Sequence, residues 1–154
     1  MTKRVSDESN LIKKEIVINS PIERVFSALI DPEQLTHWFP DVVMIEPKLG
    51  GKVLFRFLKE NTKEDKDNEI VGTIVSIIPN KELSYTWNFI SKPEYSKDTI
   101  VTWKVDKLES NKTKVTLIHS GFTKDDKLQY EDHSKGWARH INRLDNLLAT
   151  PLQD

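Results

Sequence analysis

The sequence lacks cysteine altogether, and this absence excludes disulfide bonds and metal sites that use thiolate ligands. It also lacks an excess of charge of one sign, because 23 lysines and arginines stand against 24 aspartates and glutamates. This balance argues against nucleic-acid binding, which typically uses a basic surface. No apolar run is long enough to cross a membrane, and polar residues 1–10 lack the apolar segment of a secretion signal. The composition therefore predicts a cytoplasmic protein with no membrane span and no nucleic-acid partner.

The sequence also lacks the short motifs that accompany many catalytic and cofactor sites. No serine stands in a G-x-S-x-G turn, and no glycine-rich loop leads into a helix where it would bind phosphate. His133 and His140 lie seven residues apart, which in a helix is about 10 Å of rise and too far for one metal ion. We therefore predict no catalytic residues, no metal and no cofactor, and the pattern favours a binding protein over an enzyme.

What the sequence does contain is a long amphipathic segment close to its end, at residues 130–150. Apolar residues recur within it at spacings of four, three and four: Trp137, Ile141, Leu144 and Leu148. This spacing places them on one stripe of an α-helix, while charged and amide side chains fall largely on the other side. Because most of the preceding chain has the pattern of strands, we expect the helix to pack its apolar stripe on a sheet and to enclose a cavity there.

The rest of the chain predicts one strand, two short helices and six further strands. We expect strands at 11–19, 41–46, 52–59, 70–78, 82–90, 98–108 and 112–120, and helices at 20–30 and 31–38. Consecutive strands joined by short turns pair antiparallel. The length predicts a single domain that spans residues 1–154, with residues 1–10 as a disordered tail.

A serine and an aspartate stand at the two expected helix starts. Ser20 precedes Pro21 and lies three residues before Glu23, so we expect a capping box in which Ser20 is the N-cap. Asp31 precedes Pro32, so we expect it to cap the second helix in the same way. Both signals predict helices that begin abruptly.

Four segments, in this order along the chain, resemble those of a known superfamily. They are S-P-I-E-R-V-F at 20–26 with H-W-F at 37–39, G-G-K-V at 50–53, L-S-Y-T-W at 83–87, and T-K-V-T-L-I-H-S-G-F at 113–122 with G-W at 136–137. The chain resembles the helix-grip superfamily, which includes START domains, the birch-pollen-allergen fold and polyketide cyclases. It is most similar to the bacterial branch named after the C-terminal domain of the activator of the Hsp90 ATPase. The resemblance implies an α+β fold in which a curved antiparallel sheet of about seven strands wraps around the C-terminal helix and leaves a cavity.

Aromatic side chains alternate along two of the expected strands. Tyr85, Trp87 and Phe89 share one face of the strand at 82–90, and Phe55 and Phe57 share a face of an earlier strand. These rings either pack in the core or line a pocket for a small, apolar, ring-bearing molecule, and both interpretations are open. The ligand-binding candidates are Trp38, Phe55, Phe57, Tyr85, Trp87, Phe89, His119, Trp137 and Ile141.

Three polar or small residues keep alternative interpretations. Arg56 faces solvent if Phe55 and Phe57 face the cavity, and otherwise it lies inside and needs an anionic partner. His119 either contacts a ligand near the pocket mouth or is a structural histidine. Gly136 is unfavourable within a helix, so either the helix begins there, or a sheet backbone approaches closely, or a ligand needs the room.

Three functions follow from these features. The first is binding of a small hydrophobic molecule between sheet and last helix, and the aromatic strand face favours it. The second is an enzyme of the cyclase or hydrolase type, whose acid–base groups would be His119, His37 or a pocket carboxylate such as Asp106. The third, stimulation of a chaperone ATPase with a chaperone as partner, is implied only by the resemblance, and we rank it lower because residues 1–10 do not replace the N-terminal domain of known co-activators.

Overall fold

The computed structural model describes residues 10–62 and 64–149, and it confirms the expected α+β fold. Within these residues the chain runs β1-α1-α2-β2-β3-β4-β5-β6-β7-α3. The strands are β1 (Ile12–Ile18), β2 (Val42–Ile45), β3 (Lys52–Phe57), β4 (Asn68–Ile78), β5 (Glu82–Trp87), β6 (Thr99–Glu109) and β7 (Lys112–Ser120). The helices are α1 (Ile22–Ile30), α2 (Pro32–Trp38) and α3 (Lys127–Ala149). Apart from Asn10, the tail expected at 1–10 lies outside the described residues.

The seven strands form one curved antiparallel sheet in the order β1-β7-β6-β5-β4-β3-β2. Every neighbouring pair is consecutive in sequence except β1 and β7, where Ile12 lies opposite His119. The alternation expected on β3 is also present, because Phe55 is buried whereas Arg56 is half-buried and forms an ion pair with Glu69 at 2.8 Å. Arg56 therefore points away from the face that carries Phe55.

The long helix α3 begins earlier than expected, at Lys127 rather than at residue 130. A capping box precedes it, because the Asp126 carboxylate accepts the backbone N–H of Thr123 at 2.7 Å and the Thr123 hydroxyl accepts the N–H of Asp125. The predicted apolar stripe of α3 is buried against the sheet, and the polar residues Gln129 and His133 of α3 are buried as well. No helix in the described residues 10–62 and 64–149 is long and apolar enough to cross a membrane.

The capping prediction for α2 is confirmed. The Asp31 carboxylate accepts the backbone N–H of Gln34 at 3.2 Å, and Pro32 occupies the first turn of α2. This bond satisfies one of the N–H groups that have no partner within the helix.

The capping prediction for α1 is wrong. Pro21 is the N-cap, with extended φ and ψ of −63° and 149°, and no side chain of the described residues caps the helix. Ser20 instead belongs to the end of the sheet, because its carbonyl accepts a hydrogen bond from Thr113 and its N–H bonds to the carbonyl of Ile18. The backbone of Ser20 is thus held one residue before the N-cap Pro21, and its hydroxyl does not reach a helical N–H group.

Candidate functional site

A cavity of about 890 Å³ lies between α3 and the sheet, bordered by the β3–β4 and β5–β6 connections. Its apolar wall consists of six side chains: Phe39, Phe57, Ile70, Trp87, Phe89 and Trp137. Phe39, which follows α2, is central to this wall because its ring centroid lies 5.2 Å from Trp137, 5.6 Å from Phe57 and 6.0 Å from Trp87. The cavity therefore offers flat aromatic surfaces to a guest.

Charged side chains surround this aromatic wall at the open side of the cavity. The basic ones are Lys92, Lys135, Arg139 and Arg143, and the acidic ones are Asp41, Glu60, Glu64 and Asp132. Three of the four basic residues lie on α3. The cavity is therefore apolar inside and charged at its mouth.

Two tryptophan–histidine hydrogen bonds join α3 to the sheet beside the cavity. Trp87 on β5 donates its Nε1–H to Nε2 of His133 on α3 at 3.1 Å. In the reverse direction, Trp137 on α3 donates its Nε1–H to Nδ1 of His119 on β7 at 2.9 Å. An indole N–H can only donate, so the histidine nitrogen that faces each indole carries no proton.

The second nitrogen of each of these histidines carries the proton. Nδ1–H of His133 donates to the carbonyl of Gln129 at 2.8 Å, and Nε2–H of His119 donates to the hydroxyl of Thr99 at 2.7 Å. The Thr99 hydroxyl in turn donates to the carbonyl of Trp87 at 3.0 Å. Burial is the main cause that lowers the pKa of both histidines, so both rings are neutral. Neither ring has a nitrogen left for a guest or for proton transfer.

His140 on α3 differs from these two histidines. Its ring lies 5.5 Å from that of Phe57, and its Nδ1 is buried without a hydrogen-bond partner among the described residues. Burial, followed by the positive charges of Arg139 and Arg143, lowers the pKa of His140 to about 3, against a backbone hydrogen bond with Trp38 that raises it. In the tautomer that carries its proton on Nε2, Nδ1 presents a free lone pair at the cavity wall.

A second acceptor lies near His140. Asn68 is directly opposite Phe57 in the register of β3 and β4, so both side chains are on the same face of the sheet. Its Oδ1 is buried and, in the described part of the chain, has no partner. A buried acceptor without a partner is unfavourable by about 1–3 kcal/mol. His140 and Asn68 thus place two unsatisfied acceptors in one cavity.

Gly136 lies in the interior of α3 and lines the cavity. A Cβ at this position would have only the guanidinium Nη2 of Arg139 within 4 Å, at 3.8 Å, which is an ordinary contact. Two of the three explanations that the sequence left open are therefore wrong, because α3 begins well before Gly136 and no sheet backbone of the described residues approaches it. None of the described residues requires a glycine here.

Tyr95 and Asp132 form a polar contact at the edge of the cavity. The Tyr95 hydroxyl donates to the Asp132 carboxylate at 2.5 Å, and burial followed by this bond raises the pKa of Tyr95. The bond joins the β5–β6 connection to α3. It fixes one side of the mouth, since the side-chain amide of Gln129 also donates to the carbonyl of Tyr95.

Of the nine ligand-binding candidates, four line the cavity: Phe57, Trp87, Phe89 and Trp137. The other five do not border the cavity and lie in the core: Trp38, Phe55, Tyr85, His119 and Ile141. Tyr85, for example, accepts a hydrogen bond from Trp103, and Trp38 donates to the carbonyl of Ala28. The candidates for acid–base catalysis lie elsewhere too, because His37 and Asp106 are exposed outside the cavity. Asp106 is therefore not the pocket carboxylate that was expected.

Six residues of the site were not among the ligand-binding candidates, although His133 and His140 were considered as metal ligands: Phe39, Asn68, His133, Arg139, His140 and Arg143. Four of these lie on α3: His133, Arg139, His140 and Arg143. With Gly136, three of them follow each other at spacings of three or four residues: His133, His140 and Arg143. The same helical period that predicted the apolar stripe predicts this second, polar stripe beside it. In the described part of the chain no three histidine, aspartate or glutamate side chains are grouped as a metal site.

Known proteins resemble this chain in sequence and in fold. A family model described as "Activator of Hsp90 ATPase homolog 1-like protein" matches residues 19–149. A solved structure from Mesorhizobium loti has a TM-score of 0.79 at 25% identity, covering 93% of this chain and 100% of that one. No curated protein sequence matches the chain.

Two further solved structures are more distant in sequence. An Hsp90 activator from Plasmodium falciparum has a TM-score of 0.72 at 20% identity, covering 92% of this chain and 98% of that one. CalU16 from Micromonospora echinospora has a TM-score of 0.71 at 20% identity, covering 92% of this chain and 76% of that one. At this identity the likeness is one of fold alone.

Proposed function

From the premise that the chain belongs to the activator of Hsp90 ATPase homolog 1-like family, we propose that it binds a small, hydrophobic, ring-bearing molecule in the cavity between α3 and the sheet. The observation that carries this proposal is the cavity itself. Its volume of about 890 Å³ lies within the range typical of small-molecule sites, and its wall is mainly aromatic.

Two features of the wall support a guest rather than an incidental gap. The buried acceptors His140 Nδ1 and Asn68 Oδ1 lack partners among the described residues, and a guest or water would satisfy them. Gly136 removes a side chain from the wall although no atom of residues 10–62 and 64–149 requires the space. A glycine in a helix interior makes folding about 1 kcal/mol less favourable than an alanine does. We infer that the space beside Gly136 serves a guest and that this offsets the lost stability.

The arrangement of the rings favours a flat guest. Phe39, Trp87 and Trp137 face the same space, and Phe39 is within 30° of parallel to both indoles, with interplanar angles of 23° and 29°. Aromatic rings attract one another beyond simple burial when they lie offset-stacked or edge to face. A guest with one or two rings gains this attraction along the whole wall.

The test uses the indole N–H signals in an NMR spectrum. On addition of naphthalene-based compounds, we expect the signals of Trp87 and Trp137 to shift, whereas that of Trp103, which is bonded to Tyr85 in the core, serves as an internal control. The variant Gly136→Leu places a bulky side chain in the cavity and is expected to abolish the shifts. Unchanged Trp87 and Trp137 signals across a broad set of aromatic compounds and lipids would contradict the proposal.

A second candidate function is a role as chaperone co-activator. The family description and the fold of the Plasmodium falciparum Hsp90 activator favour it. The measurement is the ATPase rate of an Hsp90 chaperone with increasing amounts of this protein. A rate that stays constant at a large excess of the protein removes this candidate.

A cytoplasmic location is part of the proposal, since chaperone and small-molecule partners of this kind are expected there. Cell fractionation with an antibody against the protein tests it. Recovery of the protein in a membrane or extracellular fraction would contradict it.

A further inference from the structure

The basic side chains of α3 at the cavity mouth lack the partners that the acidic side chains have. Among the described residues, Lys135, Arg139 and Arg143 form no ion pair. The Nη2 of Arg139 lies 3.8 Å from the position that a Cβ on Gly136 would take. Its guanidinium therefore lies beside the helix surface that borders the cavity.

The carboxylates of the mouth are mostly engaged. Glu64 pairs with Lys92 at 3.2 Å, and Asp132 accepts the hydroxyl of Tyr95. Asp41 accepts the backbone N–H of Leu58 at 2.8 Å and the side-chain amide of Asn61 at 3.0 Å. In the described part of the chain, only Glu60 among these four carboxylates has no such contact. The mouth thus offers unpaired positive charge along α3.

The interior of the cavity offers the opposite chemistry. His140 is neutral and, with its proton on Nε2, has a free lone pair on Nδ1, and Asn68 presents a buried carbonyl oxygen. In this tautomer both atoms accept hydrogen bonds and neither can donate one. A guest group that reaches them has to donate, as a hydroxyl or an N–H group does.

We propose that the guest is an aromatic acid whose carboxylate lies beside Arg139 and Arg143, and whose hydroxyl or N–H group donates to His140 Nδ1 or Asn68 Oδ1. This inference rests on the proposed function, because it describes the chemistry of a guest in the same cavity. A guanidinium binds a carboxylate with two parallel, charge-assisted hydrogen bonds. The aromatic wall between the mouth and the two acceptors holds the ring system.

The same inference accounts for the position of Gly136. A guest that extends from Arg139 and Arg143 to His140 lies along α3. It passes over the turn of α3 that precedes Arg139, and Gly136 lies in that turn. A methyl group there would narrow the path and contact the Arg139 guanidinium.

The experiment compares compounds that differ by one group. The probe is a fluorescent hydroxynaphthoate with its hydroxyl and carboxylate at opposite ends of the ring system. Its methyl ester lacks the charge, its methyl ether lacks the donor, and unsubstituted naphthalene lacks both. We expect the ester and the ether each to bind at least about tenfold more weakly than the hydroxynaphthoate, which corresponds to one charge-assisted or one buried hydrogen bond.

Protein variants assign each group of the probe to its partner. Arg143→Gln should weaken binding of the hydroxynaphthoate but leave the ester unchanged, and His140→Phe should weaken the hydroxynaphthoate but leave the ether unchanged. Lys104→Gln removes one positive charge from an exposed position on β6 outside the cavity and is the matched control for net charge. Circular dichroism and thermal unfolding check that each variant folds.

The outcomes separate this inference from the proposed function. If naphthalene and the ester bind as tightly as the hydroxynaphthoate, the cavity holds apolar guests without selecting acids, and the inference is overturned while the proposed function stands. If no compound of the series binds, the inference is overturned, and the broad set of aromatic compounds and lipids decides the proposed function. Equal effects of Arg143→Gln and Lys104→Gln would show that the net charge of the protein, and not this site, attracts the acid.

Discussion

Replacing Gly136 by alanine should stabilise the folded protein and weaken its binding of a guest. Gly136 lies in the interior of the 23-residue helix α3, and its new Cβ would meet only the flexible end of Arg139 at 3.8 Å. Alanine is about 1 kcal/mol more favourable than glycine in a helix interior, and no clash reduces this gain. We therefore expect the free energy of unfolding to rise by about 1 kcal/mol and Tm by about 2–4 °C.

The assay has two parts, because stability and binding are predicted to change in opposite directions. Urea unfolding of the protein without a guest gives the change in the free energy of unfolding. Fluorescence titration with the hydroxynaphthoate gives the change in binding. The two results together distinguish a glycine kept for a guest from a glycine needed by the fold.

Gly72 provides the contrasting control. It lies on β4, where a Cβ would come within 1.8 Å of the backbone oxygen of Thr86. Gly72→Ala should therefore destabilise the protein strongly, since two strands would have to move apart. If Gly136→Ala also lowers the free energy of unfolding, the space beside Gly136 is needed by the folded protein, and the reasoning that reserves it for a guest is refuted.

Three further predictions concern stability. Trp87→Phe removes the donor to His133 and leaves a buried acceptor without a partner. The free energy of unfolding, measured in urea, should therefore fall by at least about 2 kcal/mol. An unchanged urea midpoint would show that this bond contributes nothing. Asp31→Ala removes the cap of α2 and should lower the free energy of unfolding by about 1 kcal/mol. Ser20→Ala removes no cap and should not lower it in this way. An equal fall in the free energy of unfolding for the two variants would contradict the assignment of the caps. Burial lowers the pKa of His119, His133 and His140, so below about pH 6.5 the unfolded chain binds more protons than the folded one. The free energy of unfolding should therefore fall from about pH 7 to about pH 5, by up to about 1.4 kcal/mol per pH unit for each histidine, and a rise on acidification would contradict the neutral state of these rings.

The fold followed from periodic patterns that depend on few residues. The four-three-four spacing from Trp137 to Leu148 predicted both α3 and its buried side, and this prediction is confirmed. The alternation of Leu83, Tyr85 and Trp87 predicted β5 and its buried face in the same way. Such patterns are local and repeat along an element, so each residue supports the assignment of the next.

The helix cap of α1 was harder to predict because it depends on a contact far along the chain. The sequence around Ser20 fits a capping box, yet the hydrogen bond from Thr113 fixes the carbonyl of Ser20 at the end of the sheet. At Asp31 no strand competes for the capping residue, and the local signal was sufficient. Local capping signals therefore fail where a neighbouring strand has already fixed the same residue.

The sequence predicted that a cavity lies between α3 and the sheet, but it did not predict all of the residues that line it. Alternation along a strand tells which face a side chain occupies, but not how far along the strand the core ends and the cavity begins. Tyr85 and Trp87 share a face of β5, yet Tyr85 bonds with Trp103 in the core whereas Trp87 borders the cavity. That boundary depends on where α3 and Phe39 lie over the sheet, which no single segment of sequence determines.

The three histidines beside the cavity differ in role. Two of them stabilise the fold, and the third is available to a guest. His119 and His133 each use one nitrogen in a bond that joins α3 to the sheet and the other in a bond within the sheet or within α3, so a guest cannot bind to them without breaking one of these bonds. His140 instead has its buried Nδ1 without a partner in the described chain, and its side chain lines the cavity. A polar atom is left unsatisfied at the point where Gly136 also leaves space, and the arginines of α3 lie beside both. Because these features lie within two turns of one helix, a change in that stretch should alter guest selection while the tryptophan–histidine bonds keep the fold intact.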